Sequence, residues 1–241
     1  MQSESPPRTW TAEQVRALMR ANEGFDRVPS VAAIDQLLAA GRITSAPRGA
    51  QITSRSDEEA SFLIVLKGRV RMNSHTAGGR EFLVAFLGPG QLYGMRPCID
   101  RQARSYGSSA ESDVELLIVR AHRLRELLAS NPELNMIALQ FLSHRLGVVS
   151  QAVEQFALWS PGQQLAWRLL SFLRAPDPAS VNGMRLNVSQ DSLAGMIGRT
   201  RQTTNKLLKS LESRGIIALD YGQVTILDID ALRTYLDTES D

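Results

Sequence analysis

Cysteine is almost absent: Cys98 is the single thiol in 241 residues. That excludes an intramolecular disulfide framework and a cysteine-built zinc or iron–sulfur centre within one chain. Histidine is nearly as scarce, and His75, His122 and His144 offer no closely spaced pair, so no metal is expected. Apolar runs stay far short of the roughly 18 residues that cross a bilayer, and MQSESPPRTW lacks the basic and then apolar pattern of an export signal. We therefore expect a cytoplasmic protein with no membrane partner. Charge of one sign is also missing, since 27 basic residues face 25 acidic ones for a net +2. Only the distribution of charge can argue for nucleic acid. HExxH, GxSxG and Walker A patterns are absent, and Gly88, Gly90 and Gly94 do not form a GxGxxG that opens a helix. No catalytic residue is assigned, and an enzyme is not expected.

What is present divides into segments. Residues 1–30 form an N-terminal extension with the helical pattern TAEQVRALMRAN, and SVAAIDQLLAAG follows, stopped at Gly41. Residues 31–130 hold the short apolar runs FLIVLKGRVRM, EFLVAFLG and DVELLIV, separated by turn chemistry at Gly78-Gly79 and Gly88-Pro89-Gly90. This spacing predicts a small antiparallel β-domain. Asn131-Pro132-Glu133 then supplies an N-cap, a proline at the first helical position and an acid in the first turn. The long helix it starts fills residues 131–159. Leu139, Leu142, Leu146, Val149, Val153 and Phe156 are spaced 3, 4, 3, 4, 3, the seam of a coiled coil, so this helix is expected to pair with a second copy. Ser160-Pro161 restarts a helix almost without a loop and opens the last domain, residues 160–241, in which APDPASVNG is a connecting segment.

Within that domain, LNVSQDSLAGMIGRTRQTTNKLLKSLESRGII has the layout of a helix-turn-helix. Ser189 caps a short first helix, Gly198 makes the turn and Thr200 caps the second helix. Leu193, Met196, Ile197, Leu207, Leu208 and Leu211 are predicted to face a core, leaving Arg201, Gln202, Asn205, Lys206 and Lys209 outside. Arg199, Arg201, Lys206, Lys209 and Arg214 cluster against one acid, Glu212, in a chain otherwise near neutrality. Arg201 and Gln202 stand at the helix N-terminus, where arginine can donate twice to guanine and glutamine can read a polar base edge. Arg199 and Lys209 are placed for phosphate, which adds affinity without sequence discrimination. Thr203, Asn205 and Lys206 complete the candidate DNA-binding set, and IIALDYGQVTIL reads as a wing hairpin.

This order resembles the cyclic-AMP receptor protein and fumarate–nitrate regulator (CRP/FNR) family of bacterial transcription factors over about residues 30 to 228. LKGRV, GQLYG through ARS, and SQDSLAGMIGRTRQTTNKLLKSLESRGII carry the match. The resemblance implies an α+β fold: an N-terminal cyclic-nucleotide-binding-like β-roll, a long central dimerisation helix and a C-terminal winged helix-turn-helix. It further implies a homodimer on a palindromic double-stranded operator, with RNA polymerase as a partner. Arg201 falls on the family's guanine-contacting arginine and Lys206 on a second basic contact, while Gln202 replaces a glutamate.

For the effector, the resemblance marks Gly94, Met95, Arg104 and Ser105 in an effector loop of the roll and Val149-Ser150 on the central helix. Cyclic-AMP-binding members hold the sugar with a glutamate where this chain has Met95, and adenine with a Thr-Ser pair where it has Val149-Ser150. Losing that carboxylate removes a charge-assisted hydrogen bond worth about 1.5–3 kcal/mol. A small effector other than cyclic AMP is therefore expected, its identity open between a different nucleotide, another small anion or apolar molecule, haem, or none. Arg96, Arg101 and Arg145 are further candidates for an anion site, and Cys98 for a redox sensor should Arg96 or Arg101 depress its pKa. Two alternatives stay open: a regulator that binds cyclic AMP or cyclic di-GMP, and a helical interaction module that does not touch DNA.

Overall fold

Helices begin where hydroxyl and amide side chains can satisfy their first N–H groups. The computed structural model describes residues 9–21, 28–75, 81–173 and 184–238. The expected Gly78-Gly79 turn and the APDPASVNG segment lie outside these residues, as do the side chains of His75 and Phe156. Thr11 and Gln14 form a capping box on α1 (Ala12–Arg20), and Ser30 caps α2 (Val31–Ala40).

The chain then enters β1 (Arg42–Ala46), β2 (Gln51–Thr53), β3 (Ser61–Lys67), β4 (Val70–His75), β5 (Glu81–Leu87) and β6 (Leu92–Tyr93). A short helix, α3 (Met95–Asp100), precedes β7 (Gly107–Ala110) and β8 (Val114–Arg120). Two antiparallel four-stranded sheets result, ordered β1-β8-β3-β6 and β2-β7-β4-β5. In β3, alternation assigns successive residues to different cores. Leu63 and Val65 point between the sheets, while Phe62, Ile64 and Leu66 point at the helices. That double burial is why FLIVL is continuously apolar, each side chain contributing about 1.5–3 kcal/mol of transfer free energy.

The helical layer comprises α1, α2, α3, α4 (Ala121–Ser130) and the start of α5 (Pro132–Leu158). Asn131 Oδ1 accepts from the N–H groups of Glu133 and Leu134, so this residue caps α5 as expected. Beyond its first turns α5 leaves the core. Leu139, Leu146, Val149 and Val153 are each more than half exposed, at up to 68% for Leu146 and Val153, whereas Leu142 packs against the helical layer.

Ser160 and Gln163 form the capping box of α6 (Pro161–Phe172). The last unit continues with β9 (Met184–Asn187), α7 (Gln190–Met196), α8 (Arg201–Ser213), β10 (Ile217–Asp220), β11 (Gln223–Ile226) and α9 (Ile229–Thr238). Its sheet runs β10-β11-β9. The helix α9, which no sequence pattern announced, packs on α6 so closely that a Cβ at Gly162 would lie 2.5 Å from the Tyr235 hydroxyl. Leu83 and Phe86 of β5 complete this unit's core, Phe86 meeting Phe172 edge-on at 5.4 Å between centroids. The roll and the helix-turn-helix unit thus share buried surface.

Candidate functional site

The C-terminal unit presents one polar face. Ser189 Oγ accepts from Ser192 N at 3.0 Å to start α7, and Thr200 Oγ1 accepts from Thr203 N at 3.2 Å to start α8. Gly198, at φ +62°, makes the turn between them. Leu193, Met196, Ile197, Leu208 and Leu211 are buried and Leu207 is half-buried, as the periodicity requires. Thr204 is buried as well, its hydroxyl donating to the Thr200 carbonyl at 3.1 Å, which sequence reasoning missed. Its short polar side chain satisfies itself within the helix.

Arg199, Arg201, Gln202, Thr203, Lys206 and Lys209 all stand exposed on and beside α8, with Asn205 half-buried at the edge. Two contacts tie this face to α7. Arg201 Nη1 lies 3.4 Å from Asp191 Oδ2, and Gln190 Nε2 donates to Asn205 Oδ1 at 3.4 Å. An exposed, capped, cation-rich helix projecting beside a turn can enter a major groove and offer N–H donors to base edges.

In the roll, the residues marked for an effector separate. Arg104 is drawn inward, its side chain only 2% exposed. Its Nη2 donates to the Ser61 carbonyl at 2.5 Å and to Ser61 Oγ at 2.8 Å, and its Nε lies 3.8 Å from Asp57 Oδ2, an ion-pair distance beyond hydrogen-bond reach. Nε and Nη1 make no hydrogen bond within the protein. Gly94, at φ +88°, lets this happen, because a Cβ there would sit 2.2 Å from the Ser61 carbonyl and 2.8 Å from Arg104 Nη1. The guanidinium also faces the Tyr93 ring at 5.2 Å. Burial raises the Tyr93 phenol above its ordinary range against the opposing pull of Arg104, and the protonated hydroxyl donates to the Tyr106 carbonyl. Arg104, given room by Gly94, is therefore a buried donor group able to receive an anionic or carbonyl oxygen.

The other marked residues do not join it. Met95 is a core residue, 5% exposed and packed with Phe62, Ile64 and Leu92. The segment read as a loop is the helix α3, whose 95/98 spacing turns Met95 and Cys98 inward together. Ser105 is exposed, and its Oγ accepts from Arg96 Nη2 at 3.0 Å. Arg96 also holds Asp100 and the Ala103 carbonyl, so it braces the segment rather than offering itself to an anion. Arg101 is exposed, and Arg145 lies over Phe141 of its own helix. Val149 and Ser150 are exposed on α5, which supplies none of the partners that hold Arg104. Cys98 is fully buried, and desolvation lifts its thiol to about 11 against the weaker pull of Arg104 and Arg125. The depressed pKa on which a redox role depended is thus reversed. Among the described residues no group of three metal-ligating side chains assembles, and no helix is long and apolar enough to cross a membrane.

Comparison with known proteins matches both units. The profile described as "Cyclic nucleotide-binding domain" covers residues 43–131, and "Crp-like helix-turn-helix domain" covers residues 163–235. The cyclic AMP receptor protein of Thermus thermophilus is 27% identical over 180 residues, 75% of this chain and 81% of the relative. The global nitrogen regulator of a Nostoc species is 28% identical over 174 residues, 70% of this chain and 78% of the relative. The solved structure of a CRP/FNR-family transcriptional regulator from Thermus thermophilus shares the fold, with a TM-score of 0.65 at 24% identity, covering 82% of this chain and 99% of that one. With a cyclic-nucleotide-type roll, a long central helix and a helix-turn-helix in that order, the chain belongs to the CRP/FNR family of transcription regulators and is not an enzyme.

Proposed function

We propose that the protein acts in the cytoplasm as a homodimer that reads a palindromic operator with two copies of α8. Arg201 and Gln202 address base edges, assisted by Thr203, Asn205 and Lys206, while Arg199 and Lys209 hold phosphate. The exposed polar face of α8 carries this reading, since its cations stand apart from the buried Leu208 and Leu211. The dimer rests on the exposed stripe of α5. Four large apolar side chains in water on one helix face are costly until a second copy covers them. RNA polymerase is the partner expected at a promoter.

For the roll we propose a small effector other than cyclic AMP. Arg104 supplies donors to an anionic or carbonyl group, whereas Met95, buried in the helical layer, offers no carboxylate for a sugar hydroxyl. The relatives' names divide on this point: one is a cyclic AMP receptor protein and another, at similar identity, a global nitrogen regulator. Selection of bound duplexes from a randomised pool tests the DNA reading. We expect a two-fold symmetric consensus whose half-sites are centred about 34 Å apart; an unenriched pool, or a consensus without symmetry, would refute it.

A further inference from the structure

The apolar contact between the roll and the helix-turn-helix unit is accompanied by a polar joint. Arg71, on β4, donates from Nε to Glu111 Oε2 at 2.9 Å and from Nη2 to the backbone carbonyl of Asn187 at 2.6 Å. Asn187 closes the triangle by donating from Nδ2 to Glu111 Oε1 at 3.3 Å, and Gln223 of β11 donates to Asn187 Oδ1 at 3.3 Å. The Arg71 and Glu111 side chains are only 18% and 10% exposed, so solvent screens this pair far less than an ordinary surface pair.

Place in the chain gives the joint its meaning. Asn187 ends β9 two residues before Ser189, the cap of α7, so a hold on its carbonyl is a hold on the entry to the helix-turn-helix. Glu111 directly follows β7, the strand reached from Arg104 and Ser105, and its backbone N–H donates to the Arg69 carbonyl at 2.9 Å. The roll's anchor is therefore itself pinned. Phe86, packed on Phe172 with the Arg69 guanidinium 3.6 Å from its ring centroid, keeps the two units in contact through apolar and ring packing. Directional hydrogen bonds from a planar guanidinium fix one orientation.

We infer that Arg71 and Glu111 are positioning residues for DNA reading: through Asn187 they fix α7 and α8 to the roll, and so set the separation of the two α8 helices in the dimer. The inference rests on the operator-reading function proposed above and adds residues outside the helix-turn-helix to it. A joint of this kind governs which half-site spacing the dimer accepts, while leaving base preference within each half-site to α8.

The test compares the full-length protein with its R71K and E111Q variants on the selected operator and on operators lengthened between the half-sites by one or two base pairs. Lysine keeps the charge but lacks the planar fork whose separate nitrogens reach Glu111 and the Asn187 carbonyl, and glutamine keeps the shape but loses the charge. The unvaried protein should prefer the native spacing. Each variant should shrink that preference by about tenfold, the effect of losing one charge-assisted hydrogen bond, with half-site consensus and unfolding temperature retained. Spacing preference equal to that of the unvaried protein overturns the inference, and so does a uniform loss over all spacings. An unvaried protein without operator preference would instead remove the operator-reading function itself.

Discussion

Replacing Arg201 by alanine isolates the sequence-reading part of DNA affinity. In the free protein Arg201 is paired with Asp191 at 3.4 Å, but the two side chains are 68% and 60% exposed, so leaving that pair for DNA costs about 0–1 kcal/mol. Two hydrogen bonds to guanine are worth about 1–3 kcal/mol against the wrong base. The net loss is then about 1–2 kcal/mol per half-site, or about 2–4 kcal/mol for a dimer, roughly a 30- to 1,000-fold weakening. Fluorescence anisotropy at one fixed salt concentration, on selected operator and on random duplex, reads both affinities. The variant should lose operator affinity by that factor while random-duplex affinity moves only slightly. Lys209→Ala is the counterpart: both duplexes should weaken together, and the salt dependence should become shallower by about 0.9 for each phosphate charge no longer neutralised. Equal losses on the two duplexes for Arg201→Ala would refute base reading at this position.

Other outcomes follow from burial and exposure. Leu146→Glu with Val153→Glu puts carboxylates into the exposed stripe of α5, and sedimentation should show monomers with operator binding lost; an unaltered dimer would locate the interface elsewhere. Phe86→Ala opens a cavity beneath Phe172 and Arg69 and should cost about 3–5 kcal/mol in denaturant unfolding, against less than about 1 kcal/mol if the ring were peripheral. Cys98, fully buried with its thiol near 11, is about one part in a thousand thiolate at pH 8. It should ignore a disulfide reagent until the protein unfolds, and rapid labelling of the native protein would contradict its place in the core.

The local features were legible because their causes are local. Ser160, Ser189 and Thr200 announced helix starts by side-chain chemistry alone, and each hydroxyl accepts the expected backbone bond. The stripe of α5 was visible as a 3–4 repeat, and β3 and β8 as short apolar runs. What escaped depends on distant parts of the chain. Met95 resembled a pocket residue only while its segment was read as a loop; Pro97 concealed α3, and with it the inward face shared with Cys98. Arg104 gives no local sign that Ser61 and Asp57, more than forty residues earlier, draw it inside. The helix α9 carries Leu232 and Tyr235 one turn apart, too brief a pattern to stand out before α6 is known to lie beneath it.

Leu83 and Phe86 belong by sequence to the β-roll and by packing to the helix-turn-helix core. A cut at Ser160 would not yield a self-sufficient reading head, because the excised piece would leave two of its own core side chains behind. Fusing this head to another protein's sensor would meet the same obstacle unless β5 travelled with it. Judged by packing, the unit that could be exchanged in this chain is the head together with the strand that seats it.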